Sequence, residues 1–143
     1  MLTRKMSKIL ILQGLIAAGK TTFAKELVEK GWKRVNKDDI RAMIDNSHYS
    51  RQNEKLVLEI RDMIIDLSLI NGYNVVVDDT NFEAKHFKQM ALIADINEAE
   101  LEVKSFKTPL RECIERDSKR EAPVGEKLIR RMYDRYVAPQ KSQ

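Results

Sequence analysis

The stretch KILILQGLIAAGKTTFAKEL, residues 8–27, decides the fold. Its first six residues form a short apolar run that predicts a buried β-strand, and KTTFAKEL has the apolar spacing of a helix. Between them lies the pattern G-x-x-x-x-G-K-[ST], which Gly14, Gly19, Lys20 and Thr21 supply. Because the pattern follows a predicted strand and opens a predicted helix, it indicates a phosphate-binding loop.

Each residue type in this loop has a physical reason to bind a nucleoside triphosphate. Glycines let the backbone approach the phosphates, and the N–H groups of the loop and of the next helix point at the anion. We expect Lys20 to neutralise the β- and γ-phosphates and the Thr21 hydroxyl to ligate Mg²⁺. The expected cofactors are therefore ATP and Mg²⁺. The nucleotide-binding residues expected in this segment are Gly14, Ala17, Ala18, Gly19, Lys20, Thr21 and Thr22.

Composition excludes several classes of protein. The chain has 143 residues, 43% of them hydrophobic and 34% charged, which fits one globular domain without repeats or linkers. No apolar run approaches the roughly 20 residues that span a bilayer, and the first one is too short for a signal peptide, so we expect no membrane partner and a cytoplasmic location. The single cysteine, Cys113, is expected in the core.

Strand-like and helix-like segments alternate along the chain. Strands are predicted over 8–13, 32–36, 74–78 and 100–106, and helices over 20–31, 38–45, 53–72, 83–98, 110–120 and 126–136. We expect Asp38 or Asp39 to cap the second helix. The alternation predicts an α/β fold of three layers, with a parallel sheet of four to five strands flanked by helices.

Two polar stretches follow predicted strands, where side chains face the ligand crevice of a parallel sheet. In NKDDIR, residues 36–41, Asp38 and Arg41 share a helix face; the carboxylate can accept a proton from a hydroxyl while the cation holds a phosphate. In VVVDDTN, residues 75–81, a carboxylate can hold Mg²⁺ directly or through water. An N-cap and a polar turn are the structural alternatives. Asp78, Asp79, Thr80 and Asn81 of the second stretch can all reach the crevice, and we assign Asp79, Thr80 and Asn81 to the acceptor site, and Asp79 with Thr21 to the metal.

The C-terminal third is basic. Residues 104–143 carry a net charge of +5 and residues 1–103 a net charge of −1, which favours a phosphate-rich partner. Within it, Arg116 and Arg120 lie four residues apart before a proline-containing loop, as in a lid that closes on a triphosphate. The alternative is a surface pair of Arg116 with Glu112.

Together, ILILQGLIAAGKTTFAKEL, NKDDIRAMI, VVVDDTNF and RECIERDSKREAPVGEKLIRRMYDRY resemble the kinase domain of phage-type 5′-hydroxyl polynucleotide kinases in order and spacing, from Lys8 to Tyr136. The resemblance implies one P-loop kinase domain over residues 1–143, with a lid around 117–125. It implies transfer of the γ-phosphate of ATP to the 5′-hydroxyl end of DNA or RNA, in the host cytoplasm if a phage encodes the chain. Bifunctional members continue into a phosphatase domain, so a chain ending at Gln143 is expected to lack 3′-phosphatase activity.

The resemblance also implies residue roles. Asp38 resembles the general base for the 5′-hydroxyl, and Asp39 is the fallback. Arg41 resembles the residue that holds the phosphate on the 3′ side of the acceptor nucleotide. Asp79 resembles the aspartate near the acceptor nucleotide. Arg120 resembles the lid arginine, assisted by Arg116, so the implied catalytic residues are Lys20, Asp38 and Arg120. The loop departs from the family at Ile16, often Pro, and at Ala18, often Ser or Gly; Ala18 removes a hydroxyl and leaves the backbone donors.

Two other functions remain open from the sequence. A P-loop kinase of a small metabolite, such as a nucleoside, sugar or antibiotic, would use the same donor chemistry with a closed acceptor pocket. A non-catalytic ATP-binding module would not need Asp38. Arg41 and the basic C-terminal third favour the polynucleotide acceptor over the metabolite. The sequence predicts neither the oligomeric state nor a preference between DNA and RNA.

Overall fold

A parallel sheet of four strands lies at the centre of the computed structural model, which describes residues 6–141. The strands are β1 (Lys8–Gln13), β2 (Lys33–Val35), β3 (Val75–Asp78) and β4 (Glu100–Ser105), in the spatial order β2-β3-β1-β4. All three pairings are parallel, which confirms the predicted α/β sheet. The central strands β1 and β3 lie side by side, so the segments that follow them meet at one edge of the sheet.

Helices connect and cover the strands. They are α1 (Lys20–Glu29), α2 (Lys37–Asp45), α3 (Arg51–Ile70), α4 (Ala84–Ile96), α5 (Leu110–Ser118), α6 (Glu126–Met132) and α7 (Ala138–Lys141), with one π-helical turn over Tyr133–Val137 between α6 and α7. Pro139, two residues after the end of that turn, has no N–H to donate within the helix. None of the helices within residues 6–141 combines the length and apolarity that crossing a bilayer requires.

Side-chain alternation along the strands divides the core into two layers. Odd-numbered residues of β1 and β3, such as Ile11 and Val77, pack with α3 and α4 through residues including Ile65 and Met90. Even-numbered residues of the same strands pack on the other face against α1; they are Leu10, Leu12 and Val76. The sheet therefore has helices on both faces, which confirms the three predicted layers.

A third apolar cluster packs the phosphate-binding loop against the C-terminal helices. Leu15 and Ala18 of the loop pack with Cys113 of α5 and Ile129 of α6. Cys113 is fully buried, as its isolation in the sequence predicts. This cluster joins the loop to the two C-terminal helices, so the loop and the segment between α5 and α6 share one apolar support.

The N-cap of α2 corrects a prediction. Asn36, not Asp38 or Asp39, caps the helix: its side-chain oxygen accepts a hydrogen bond from the Asp39 N–H at 2.8 Å. Its amide nitrogen donates to the carbonyl of Asp78 at 2.5 Å, so one side chain both caps α2 and ties it to β3. Asp38 and Asp39 lie in the first turn of α2, where their carboxylates are not used for capping.

This double role makes Asn36 a testable stability determinant. Replacing Asn36 by Ala removes the cap and leaves the Asp78 carbonyl without this donor, so we expect the unfolding free energy to fall by about 2 kcal/mol. The matched control is Ser50→Ala, which removes only the N-cap of α3, where Ser50 Oγ accepts from Asn53 N at 3.0 Å. It is expected to cost about 1 kcal/mol. Urea denaturation measures both, and equal losses would contradict the tie to β3.

Candidate active site

The loop after β1 wraps around the Lys20 side chain. Ala17 and Gly19 adopt left-handed backbone conformations, with φ of 64° and 105°, and α1 begins directly afterwards. Lys20 is only 7% exposed, and its Nζ donates to the carbonyls of Gly14 at 2.8 Å and Leu15 at 2.5 Å. Burial lowers the pKa of the Lys20 ammonium to about 8, although Asp78 opposes the shift.

One cleft of about 490 Å³ lies over the start of α1. Its lining residues are Ala17, Gly19, Lys20, Thr21, Thr22, Arg116 and Arg120. The structure therefore brings together most of the residues that the sequence assigns to the nucleotide. They include Arg116 of α5 and Arg120, which lies just after α5. We call this space the donor cleft.

Two residues assigned to the nucleotide pack within or behind the loop. Gly14 faces β4: a Cβ at this position would stand 3.0 Å from the Phe106 Cβ, so the glycine permits close packing. The Ala18 side chain is buried in the third cluster, and its N–H donates to the Leu15 carbonyl at 3.2 Å. Neither residue lines the donor cleft among the described residues, and their assignment to the nucleotide stays a prediction.

The arginines of the predicted lid lie at the rim of the donor cleft. Arg116 pairs with Glu112 at 2.5 Å, as the structural alternative anticipated, while its guanidinium also approaches Gly19. The buried Asp117 accepts hydrogen bonds from the Val124 N–H at 3.0 Å and the Gly125 N–H at 2.9 Å. Burial alone would raise the pKa of Asp117, but these backbone donors lower it. Both ends of the segment that contains Arg120 are thus held together by one carboxylate.

Asp78 is the carboxylate that contacts the loop. Its Oδ2 accepts from Thr21 Oγ1 at 2.9 Å and from Arg34 Nε at 2.8 Å. Arg34 in turn donates to Asp39 at 2.6 Å. A continuous polar chain therefore runs from α1 through β3 and β2 to α2. Asp78 therefore contacts Thr21, and the assignment of Asp79 and Thr21 to the metal stays a prediction.

Strand alternation explains why Asp78, and not Asp79, contacts Thr21. Asp78 follows the even-numbered Val76, which faces α1, and so its carboxylate points toward Thr21. Asp79 points the other way, where its Oδ1 accepts from the Lys37 N–H at 3.0 Å. Two aspartates in a row after VVV do not reveal which of them faces α1, although strand alternation places them on opposite faces.

Asp79 is a buried carboxylate with an unpaired oxygen. It is 8% exposed, and within residues 6–141 its Oδ2 has no hydrogen-bond partner. Burial raises the pKa of Asp79 to about 6, since the charged form loses its hydration. An oxygen of this kind beside a cleft fits a ligand that brings a cation or a hydroxyl group.

A second cleft, of about 750 Å³, opens between α1, α2 and α6. Its lining includes six cationic and four acidic side chains: Lys20, Lys25, Arg34, Lys37, Arg41 and Arg120, with Asp38, Asp39, Asp78 and Asp79. It shares Ala17, Lys20, Thr21 and Arg120 with the donor cleft, so the two spaces meet at the same residues. We call this space the acceptor cleft.

The cations of the acceptor cleft come from an unexpected part of the chain. Only Arg120 belongs to the basic C-terminal third, and the other five lie between residues 20 and 41. The net charge of each part of the chain could not reveal this, because the cations of residues 20–41 are offset by acidic residues elsewhere in the first 103 positions. The local concentration of charge at the cleft depends on the fold.

Asp38 and Arg41 lie together in the acceptor cleft. Arg41 Nη1 contacts Asp38 Oδ1 at 2.6 Å, and the Asp38 side chain is 87% exposed. Two further nitrogens of Arg41 bind both oxygens of Glu54, at 2.8 and 2.5 Å. This fork-shaped pair fixes the guanidinium and lowers the pKa of Glu54. Sequence reasoning missed Glu54, which lies thirteen residues away in the first turn of α3.

Thr80 lines the acceptor cleft, but Asn81 does not. The Asn81 amide is buried and donates to the carbonyls of Leu12 at 2.7 Å and Val77 at 3.3 Å. It therefore ties the end of β1 to the end of β3, and its assignment to the acceptor stays a prediction. The Thr80 carbonyl completes the tie by accepting from the Gly14 N–H at 3.1 Å.

The family follows from a match that covers most of the chain. A family model described as an AAA domain matches residues 9–139, which include the loop, both clefts and the segment after α5. The chain belongs to this AAA domain family. Proteins similar to this chain in sequence and structure include proteins named as kinases.

Two curated proteins are similar to this AAA domain chain. The L-seryl-tRNA(Sec) kinase of Methanococcus maripaludis is 26% identical over 136 residues, which are 92% of this chain and 53% of that protein. A protein of Autographa californica nuclear polyhedrosis virus, named as a candidate bifunctional polynucleotide kinase/RNA ligase, is 27% identical over 146 residues, covering 91% of this chain and 21% of that protein. The chain spans about half or less of the length of these relatives.

Solved structures share the fold of this chain. A chain of the Pnkp1/Rnl/Hen1 RNA repair complex aligns with 99% of this chain and 47% of its own length, at a TM-score of 0.81 and 27% identity. The similarity confirms the resemblance to the kinase domain of polynucleotide kinases. The APS kinase CysC of Mycobacterium tuberculosis, solved with AMPPNP and APS, shares the fold at 22% identity and a TM-score of 0.63, over 80% of this chain and 70% of its own.

The raised pKa of Asp79 predicts a pH-dependent stability. The folded protein binds this proton more tightly than the unfolded chain, so stability conferred by the protonated form is lost as the pH rises from about 4 through about 6. Asp79→Asn cannot titrate. We therefore expect the unfolding free energy of the native protein, relative to this variant, to fall by about 2 kcal/mol between pH 4.5 and 7.

Urea denaturation at several pH values measures this difference. A constant difference between the native protein and Asp79→Asn across that range would show that Asp79 titrates normally in the folded state.

Proposed function

We propose that the chain is an ATP-dependent kinase that phosphorylates the 5′-hydroxyl ends of DNA or RNA. The observation that carries the proposal is the junction of the two clefts: Lys20 and Thr21 line both, and Asp38 and Arg41 line only the acceptor cleft. Two anionic substrates can therefore meet at Lys20 from different sides. The similarity to polynucleotide kinase domains supports this acceptor.

The donor cleft would hold the triphosphate. Gly19 and the N-terminus of α1 provide backbone donors, and Lys20 and Arg120 provide positive charge for the γ-phosphate. Lys20 already donates to two carbonyls of the loop, so a phosphate would replace acceptors of similar geometry. We propose that residues 117–125 form a lid over this cleft, with Arg116 and Arg120 as its cations.

The residues at the junction fit a magnesium ion. Thr21 Oγ1 and the carboxylates of Asp78 and Asp79 are hard oxygen ligands, and Asp79 Oδ2 is buried without a partner. We propose that these residues hold Mg²⁺ directly or through water. When bound, the ion neutralises charge on the phosphates.

Asp38 would act as the general base. It is exposed to the acceptor cleft and paired with Arg41, so an incoming 5′-hydroxyl can reach its carboxylate while Arg41 holds the phosphate on the 3′ side. Asp38 accepts the proton as the hydroxyl oxygen forms a bond to the γ-phosphorus. The bond from that phosphorus to the β–γ bridging oxygen breaks and ADP leaves. Glu54 keeps Arg41 in place through two hydrogen bonds.

Asp39 is a weaker candidate for the base. Its carboxylate pairs with Arg34, which is also bound to Asp78, so this group belongs to the polar chain between the two clefts. Asp38 pairs with Arg41 at the same 2.6 Å distance, but its side chain is 87% exposed against 66% for Asp39, and so it is the more accessible to an incoming hydroxyl.

A second acceptor is supported by one comparison. The similarity to an L-seryl-tRNA(Sec) kinase over 92% of the chain favours a hydroxyl carried by an RNA away from its 5′ end. The charged acceptor cleft suits either polymer better than a small neutral metabolite, because its cationic side chains outnumber its acidic ones by six to four.

The test is transfer of labelled γ-phosphate from ATP to matched oligonucleotides. We expect the chain to label a 5′-hydroxyl oligonucleotide and to leave its 5′-phosphorylated counterpart unlabelled. Labelling of seryl-tRNA or of a metabolite panel, without labelling of the 5′-hydroxyl oligonucleotide, would replace the proposal by one of the other acceptors.

Replacing Asp38, the proposed general base, tests the residue assignment. Asp38→Asn preserves shape, so we expect the transfer rate to fall by about 10²–10⁴-fold while the affinity for an ATP analogue stays within about twofold. The control is Asp45→Asn, an exposed aspartate at the end of the same helix, which is expected to keep full activity. An Asp38→Asn variant as active as this control would contradict the assignment and leave a binding module or another base.

A further inference from the structure

The loop between α2 and α3 presents an aromatic ring to the acceptor cleft. Tyr49 lines this cleft together with Asp38 and Arg41, and it is 74% exposed. Within residues 6–141 its side chain has no hydrogen-bond, ion-pair or ring partner. A single exposed aromatic residue is common on protein surfaces. The position of this one, in a cleft shaped for a phosphorylated acceptor, is what sets it apart.

The backbone holds Tyr49 in place. Asn46 and Ser47, which precede it, adopt left-handed conformations with φ of 48° and 67°. The Ser47 N–H donates to the carbonyl of Arg41 at 3.0 Å, and the His48 carbonyl accepts from Asn53 Nδ2 at 3.1 Å. Left-handed backbone in non-glycine residues persists where surrounding contacts determine it. The ring is therefore attached through its loop to the residue that would hold the acceptor phosphate.

The acceptor cleft also has an apolar lining that charge alone does not explain. Ile16 of the phosphate-binding loop and Leu128 and Met132 of α6 line it together with Tyr49. A hydroxyl and a phosphate need only the charged residues. Aromatic and aliphatic side chains in the same space suit a planar group with an apolar face, and nucleobases stack on tyrosine largely independently of their sequence.

We propose that Tyr49 is the stacking platform for the base of the 5′-terminal acceptor nucleotide. The inference rests on the proposed function and deepens it, because it specifies which part of the polymer is recognised beside the reacting hydroxyl. Tyr49 takes no part in the chemistry. It selects acceptors that carry an aromatic base at the terminal nucleotide over sugar phosphates that lack one.

The test compares the kinetics of acceptors that carry or lack the terminal nucleobase. The acceptors are two 5′-hydroxyl oligonucleotides that differ only in whether the terminal nucleotide carries its base or is abasic. Stacking on an aromatic residue contributes about 1–3 kcal/mol per base, so Tyr49→Ala should raise KM for the base-carrying acceptor by about 5- to 150-fold, with kcat within about twofold. Tyr49→Phe should stay within about twofold of the native protein.

The abasic acceptor completes a cycle of variants. Removing the base should raise KM for the native protein by a similar factor, and Tyr49→Ala should then add little further loss. A merely structural role of Tyr49 would raise KM equally for both acceptors. The matched control is Tyr73→Ala, an exposed tyrosine that packs on Lys33 outside both clefts and should leave the two KM values unchanged.

Fluorescence gives a readout that does not depend on turnover. A 2-aminopurine at the 5′ end should be quenched on binding to the native protein and to Tyr49→Phe, but not to Tyr49→Ala. An unchanged KM in Tyr49→Ala, or full discrimination against the abasic acceptor in that variant, overturns the inference while the kinase function stands. If the native protein labels no oligonucleotide, the proposed function fails and this inference fails with it.

Discussion

The carboxylate of Asp78 is the contact on which the rest of the candidate site depends. One of its oxygens accepts hydrogen bonds from Thr21 at the start of α1 and from Arg34 of β2, and Arg34 continues the chain to Asp39 of α2. The register of the sheet makes this possible, since Leu12 at the end of β1 lies opposite Asp78 at the end of β3. A buried charge stabilises its surroundings only when its partners are complete, so this oxygen fixes three elements at once.

From that contact the two clefts follow. Asp78 and Asn81 bring the end of β3 against the phosphate-binding loop, and Asn36 then ties α2 to the Asp78 carbonyl. Because α2 begins there, its first turn presents Asp38 and its neighbours beside the start of α1. The close approach of the two clefts is therefore a consequence of strand order and helix capping. Two other carboxylates act similarly, each through two hydrogen bonds: Glu54 holds the Arg41 side chain, and Asp117 holds the end of the segment after α5.

The fold could be predicted from the sequence because local signals agreed with one another. The apolar runs before Gly14 and Asp78 and the loop pattern between β1 and α1 all describe a parallel α/β sheet. Most donor-cleft residues could be predicted for the same reason, since the loop motif is contiguous. Gly14 and Ala18 differ because their roles depend on Phe106 and on the third cluster, which are distant in sequence.

The parts that could not be predicted depend on direction or on long-range contact. Strand alternation distinguishes Asp78 from Asp79, but two adjacent aspartates after an apolar run look equivalent until the face that α1 covers is known. Glu54 is separated from Arg41 by a loop, and no local spacing joins them. The charge of the acceptor cleft shows the same limit, because cations that are diluted in the sequence gather where α1, β2 and α2 converge.

The central claim is that two anionic substrates meet end to end at Lys20, and a structure of the ternary complex tests it most directly. The complex would contain a non-hydrolysable ATP analogue and a short oligonucleotide with a 5′-hydroxyl. The account predicts the triphosphate in the donor cleft and the 5′-oxygen within hydrogen-bond distance of Asp38. An oligonucleotide bound instead along the basic surface of residues 104–141, with its 5′ end away from Lys20, would contradict it.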